Sequence, residues 1–174
     1  MGNIYFSSDT HFGHDRDFIW GARGFKNVTE MNEAIVKNWN SIVKEDDIVY
    51  LLGDVMLGDN SSLKYLKQLN GTIYIAIGNH DTNSRIELYK ECHNVADVQM
   101  GYRIKAGKRN IILSHYPTVT ANGDDLKVLN FYGHTHQEKN NFFENRKYMY
   151  HIGLDSHNCF PVKLEDALEE IKNA

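Results

Sequence analysis

The chain has 174 residues, the size of one ordinary domain, and its 41% hydrophobic content with only two prolines excludes a disordered or low-complexity protein. A net charge of -4 argues against a generally basic face for non-specific nucleic-acid binding. Two cysteines, Cys92 and Cys159, exclude a disulfide framework, no apolar run reaches membrane-spanning length, and the expectation is one domain over residues 1–174 in a reducing cytoplasm.

Ile4 to Phe6 reads as the first strand, which favours strand core over the superficial likeness of Met1-Gly2-Asn3 to a myristoylation start. Its end delivers Asp9-Thr10-His11, and on an extended backbone residues two apart point the same way, so Asp9 and His11 reach one point. A short helix is expected over 15–20, then a glycine-rich loop over 21–26 holding Arg23. Met31, Ile35, Trp39 and Ile42 repeat at helical spacing and predict an amphipathic helix over 29–43. The apolar run 48–52 is a strand ending at Gly53-Asp54, joined to the first by a right-handed parallel crossover. A second helix from Ser61 or Ser62 passes through Leu63, Leu66 and Leu69.

Thr72 to Ile77 is an apolar, β-branched run that stops at Gly78-Asn79-His80-Asp81, with Asn70-Gly71 as the turn before it and a helix over 84–92 after it. The carboxyl edge of a sheet is where α/β folds bind ligands. There Asn79, His80 and Asp81 offer a neutral oxygen ligand, a proton carrier and a carboxylate to orient it. The second half changes to hairpins. Residues 102–105 and 109–113 flank a glycine loop, and the latter run ends at Ser114-His115. The strand 128–132 ends at Gly133-His134-Thr135-His136. A second hairpin is expected between 142–143 and 148–152, and Leu164, Ala167, Leu168 and Ile171 predict a closing helix. Crossovers followed by hairpins imply two packed sheets flanked by helices.

Asp9, His11, Asp54, Asn79, His115, His134 and His136 thus gather at strand ends as an oxygen and imidazole set. They suit Mn, Fe, Zn, Ni or Co and include no thiolate. Seven ligands are too many for one ion and fit two that share a carboxylate, an arrangement known for in-line displacement at phosphorus.

The blocks Asp9-x-His11, Gly53-Asp54, Gly78-Asn79-His80-Asp81, His115 and Gly133-His134-x-His136 resemble, in order, the motif set of the calcineurin-like metallophosphoesterases. The resemblance implies an α/β fold, a four-layer αββα sandwich. It also implies one metal held by Asp9, His11, Asp54 and His136, and another by Asp54, Asn79, His115 and His134, with Asp54 bridging. His80 would contact the phosphoryl oxygen or leaving group, with Asp81 behind it. The protein-phosphatase branch carries an Arg after Gly-Asp and a Glu after Asn-His, and this chain has neither. It is more similar to small prokaryotic and phage-type members, which share the Asp-Thr-His-Phe-Gly-His opening and a stretch like Phe160-Pro161-Val162.

The expected activity is hydrolysis of a phosphodiester, or a phosphomonoester, by a metal-bridging hydroxide, with two divalent ions as cofactors, Mn2+ foremost. Nucleotide or nucleic-acid substrates fit, and no membrane partner is expected. The rival is a non-catalytic scaffold of the same fold, which should have lost ligands or the catalytic histidine. Arg23 is a candidate phosphate clamp, the alternative being a solvated loop arginine. His14 reads equally as a substrate contact or a hydrogen-bonding residue behind the ligands. His93 and His151 read as surface residues, and Asp155 as a turn carboxylate. A short connection between Pro117 and Val128, with no inserted cap, predicts a shallow open cleft.

Overall fold

The computed structural model describes residues 2–121, 125–137 and 141–174. Strands β1 (Ile4–Ser7), β2 (Ile48–Leu51), β3 (Thr72–Ala76) and β4 (Val95–Gln99) run parallel in one sheet. A two-residue strand near the carboxyl end, Val162–Lys163, joins the free edge of β1 antiparallel. The second sheet has the order β5 (Gly101–Ala106), β6 (Arg109–Ser114), β7 (Val128–Tyr132), β8 (Met149–His151), with only the first pair antiparallel. Calling Val162–Lys163 β9, the first sheet is ordered β4-β3-β2-β1-β9.

The period of two along each strand builds both cores. Tyr5, Val49, Leu51, Ile73 and Ile75 face helices α1 (Asp17–Trp20), α2 (Val28–Ile42), α3 (Leu63–Leu66) and α4 (Asn83–Lys90), where they pack with Met31, Ile35 and Trp39. Phe6, Leu52 and Ala76 face the other way, onto Leu113, Leu129, Phe131 and Tyr150 of the second sheet. Helix α5 (Leu164–Asn173) adds Ala167 and Ile171 to that inter-sheet core. The result is an α/β sandwich of two mixed sheets flanked by helices. Helix α2 starts where Asn27 Oδ1 accepts from Glu30 N (2.9 Å), and its buried Met31, Ile35 and Trp39 fall one turn apart.

Three expectations change. Strand β4 has no apolar alternation to announce it, because Ala96, Asp97 and Gln99 are exposed on an edge strand. The second expected hairpin is absent: Phe142 and Tyr150 form one isolated antiparallel bridge, and β8 instead runs parallel to β7. Glu144 and Asn145 take left-handed backbone (φ 49° and 59°) in a short turn, which carries the chain away before a ladder can form. The second helix is shorter than expected, a 3-10 turn over Asn60–Ser62 followed by α3.

His151 is not a surface residue. It is fully buried at the end of β8, with Nδ1 2.7 Å from Ser156 Oγ, and burial pulls its pKa down to about 3. The unfolded chain therefore binds a proton near pH 6.5 that the folded chain refuses, so this group costs stability as pH falls from 6.5 toward 3. Between pH 7.5 and 5.5 the expected contribution is about 1 kcal/mol. Urea midpoints of wild type and His151→Asn at both pH values check it: the variant should lose less stability on acidification, and equal losses would contradict it.

Candidate metal centre

The loops leaving β1 and β2 travel side by side, with Asp9 N on Gly53 O (3.1 Å), His11 N on Asp54 O (3.0 Å) and Phe12 N on Val55 O (3.0 Å). The loop after β3 is tied to them by one carboxylate. Asp81 accepts from the backbone N–H groups of Asp54 (2.8 Å), Val55 (3.1 Å) and Gly78 (2.8 Å), and from the Tyr89 hydroxyl (2.9 Å). Burial, then the Asp81 charge, pushes the Tyr89 pKa far above its ordinary range and keeps that donor protonated. The expectation that Asp81 stands behind the His80 ring therefore changes: its four hydrogen bonds hold two loops in place. His80 is positioned instead through its own backbone, with N donating to Asp54 Oδ1 (2.8 Å) and O accepting from Arg85 Nη1 (2.6 Å). Close approach also explains two glycines. A Cβ at Gly78 would lie 2.3 Å from Asp54 Oδ1, and one at Gly133 would lie 2.4 Å from Asp9 Oδ2.

Side chains from both sheets converge over these loops. Asp54 Oδ2 stands 3.8 Å from His11 Nε2, 3.5 Å from His115 Nε2 and 4.0 Å from His80 Nε2. Asp9 Oδ1 is 3.8 Å from both His11 Nε2 and His136 Nε2. Asp9, His11 and His136 form one group able to hold a metal ion, and Asp9, Asp54 and His115 form another. Asn79 joins the second through its Oδ1, 2.9 Å from His115 Nε2. His134 flanks it, its ring 5.1 Å from that of His115, while its backbone N–H donates to Asp9 Oδ2 (3.0 Å).

The backbone carries a signal of its own. Asp9 (φ 59°), His11 (47°), Asp54 (52°), His134 (67°) and His136 (47°) all adopt left-handed conformations that cost on the order of 1–3 kcal/mol each. Such conformers persist where the surroundings impose them, and they concentrate at functional sites.

The donor chemistry fits a cation. Asp9 Oδ1 is buried and has no hydrogen-bond partner among the described residues. Burial raises the Asp9 pKa, against the opposing pull of His136 and His115, so the ionised carboxylate needs positive charge beside it. His115 Nδ1 lies 2.8 Å from Leu52 O and must donate to it, which leaves the Nε2 lone pair aimed at the oxygens of Asn79 and Asp54. His136 Nδ1 likewise donates to Asp155 Oδ2 (2.9 Å), which leaves Nε2 facing His11 Nε2 at 3.2 Å. Lone pairs and carboxylate oxygens pointed at one another are repulsive unless a proton or a metal ion lies among them, and a cluster of this composition suits a divalent ion.

Asp155 is the residue missed by sequence reasoning. Its carboxylate is gripped by Arg23, with Nε to Oδ1 at 2.9 Å and Nη2 to Oδ2 at 3.1 Å. Burial pushes the Asp155 pKa up, but the His136 hydrogen bond and Arg23 outweigh it and hold the group well below the usual carboxylate range. For His136 burial acts downward, and the Asp155 bond and Asp9 charge raise its pKa overall. Arg23 itself is turned inward. Its side chain is only 2% exposed, and Nη2 also donates to Asp9 O (2.7 Å), so it faces protein where a phosphate clamp was expected. His14 packs edge-on against His11, with centroids 5.4 Å apart. A carboxylate holding the far nitrogen of a ligating histidine contributes about 10- to 100-fold in metal affinity. Asp155→Asn is expected to weaken divalent-ion binding by that factor, read by titration calorimetry with manganese. Unchanged affinity would contradict the role.

The floor of the site is closed and its rim is open. Asp9, His11, Asp54 and His115 are buried, whereas Asn79 and His134 are exposed and the His80 and His136 side chains are partly open, as an accessible cleft requires.

Two stacked mixed sheets with an Asp, Asn and His cluster at their strand ends define the architecture of a metallophosphoesterase. Residues 3–151 match the calcineurin-like phosphoesterase superfamily domain, and the chain belongs to that superfamily. It is 33% identical over 170 residues to an uncharacterized protein of Methanocaldococcus jannaschii, covering 95% of this chain and 89% of the other. The gene 66 protein of Mycobacterium phage L5 is 27% identical over 187 residues, covering 90% and 88%. A protein of unknown function from Aquifex aeolicus shares the fold at a TM-score of 0.69, with 22% identity and 99% of each chain covered. These relatives place the chain beside small prokaryotic and phage members. No described helix is long and apolar enough to cross a membrane.

Proposed function

We propose that the chain is a binuclear metal-dependent phosphoric ester hydrolase acting on a phosphodiester, with phosphomonoesters as the weaker alternative. The observation that carries the reading is the buried Asp9 Oδ1, without a hydrogen-bond partner among the described residues and 3.8 Å from the Nε2 atoms of both His11 and His136. Asp9, His11, Asp54 and His136 would hold one ion and Asp54, Asn79, His115 and His134 the other, with Mn2+ the preferred metal. Bound there, two divalent ions supply Lewis acidity and lower the pKa of water toward about 7.

The chain's own residues do the rest. Asp54, whose Oδ2 lies between His11 and His115, would be shared by the two ions, and Arg23 with Asp155 fixes the His136 ring. His80, whose side chain is 44% exposed and whose Nε2 faces the cluster, is placed to give a proton to the departing oxygen or to hydrogen-bond a phosphoryl oxygen. The absent protein-phosphatase signature favours a diester, and nucleotide or nucleic-acid ends fall within that class.

The test is metal analysis combined with hydrolysis of bis(p-nitrophenyl) phosphate and p-nitrophenyl phosphate. Two bound ions with faster diester turnover are expected. Two bound ions with neither ester hydrolysed would overturn the reading in favour of a scaffold.

A further inference from the structure

A cleft of about 450 Å³ opens beside the metal centre, lined by both polar and apolar side chains. His11, His14, His80, His136 and Asp155 supply its polar lining, and Phe18, Ile19 and Ala22 its apolar lining. Phe18 is 66% exposed, among the most exposed of the large hydrophobic side chains. Its placement follows from α1, a single turn: Ile19 is buried in the helix-side core, so its neighbour Phe18 is directed outward. The ring is braced edge-on by His14 (centroids 5.6 Å apart, planes at 84°), and His14 in turn rests on His11. An aromatic ring held beside a charged cluster, with one side open to solvent, is a surface on which another flat ring can pack. An apolar cavity of about 150 Å³ suffices to hold a benzene ring, so the cleft has room for a ring and the phosphoryl group that carries it.

Resting on the hydrolase reading, we propose that this cleft is a subsite for a planar aromatic group of the ester, of aryl or nucleobase type, and that Phe18 determines that preference. The phosphoryl group would lie among His11, His80 and His136, and the ring attached through its ester oxygen would lie over Phe18 and Ile19. Phe18 meets the ring of His14, which is not among the assigned ligands, so its effect is on which ester binds.

The test uses binding. Phenylphosphonate and methylphosphonate, neither of which has a scissile ester, are titrated calorimetrically into manganese-loaded wild type, Phe18→Ala and Phe18→Tyr. Wild type should prefer phenylphosphonate by roughly 5- to 10-fold, Phe18→Ala should bring the ratio close to one, and Phe18→Tyr should restore it. If wild type and Phe18→Ala bind both phosphonates with the same ratio, the subsite is wrong and the hydrolase reading stands. If neither phosphonate binds the loaded wild type, the phosphoryl site itself fails and takes the subsite with it.

Discussion

Asp54→Asn is expected to strip both divalent ions from the protein and to lower diester turnover by about 10³-fold or more, since several kcal/mol of charge stabilisation go with the ions. The substitution is close to isosteric. Oδ1 can still accept from His80 N, and the backbone N–H of residue 54 can still donate to Asp81, so the loops stay tied. What changes is the Oδ2 position, which lies 3.8 Å from His11 and 3.5 Å from His115 and which, in the proposed ligand assignment, serves both ions. Asp9→Asn also loses a carboxylate, and Asp9 belongs to both groups, but its Oδ1 lies 3.8 Å from His11 and His136 and its Oδ2 already accepts from His134 N, so loss of one ion is expected. Elemental analysis of both variants after dialysis distinguishes them. Loss of a single ion in each would contradict the shared role of Asp54.

His80→Ala should behave in the opposite way, retaining both ions while slowing turnover by about 10²- to 10⁴-fold. His80 Nε2 approaches Asp54 Oδ2 only to 4.0 Å, and its side chain is far more open than the buried histidines His11 and His115. If it protonates the departing oxygen, the defect must grow with the basicity of that oxygen. Rates on esters running from nitrophenolate to simple alcohol leaving groups measure the slope, with metal content checked in each preparation. A uniform loss across the series would assign His80 to the phosphoryl oxygens instead, and loss of an ion would make it a ligand. Asp81→Asn should not mimic this slope, because Asp81 bonds backbone donors and Tyr89. Its expected effect is lowered stability and weakened metal binding together.

The strand-end blocks were legible in the sequence because each follows a run whose apolar period is unambiguous. Ile48 to Leu52 and Thr72 to Ile77 can only be buried strands, so Asp54 and Asn79 must emerge at the same edge. The supporting pairs were not legible. Arg23 and Asp155 lie 132 residues apart and meet only because β8 is laid beside β7, a parallel pairing that a hairpin reading of 142–152 replaces with another partner. The one available hint for Asp155 was that it too follows a strand end. His151 reads as a surface residue because no motif supports it, and its burial depends on the same misjudged pairing. Asp81 is adjacent to His80 in sequence, which suggests a shared role. Adjacent residues leaving a tight turn point apart, however, and the carboxylate found the amides of two loops.

The left-handed backbone at positions 9, 11, 54, 134 and 136 also limits what this site can become. Aspartate and histidine are among the few residues with side chains that visit that conformation readily, asparagine being the third. Cysteine or glutamate introduced at these positions would carry the same backbone cost that Cys159 (φ 59°) and Glu144 (φ 49°) already carry elsewhere in the chain. Drift by point substitution toward a thiolate-rich site is therefore penalised by the main chain at each of these positions and not forbidden by it. The turn geometry thus weights the site toward aspartate, asparagine and histidine, and so toward ions content with oxygen and imidazole.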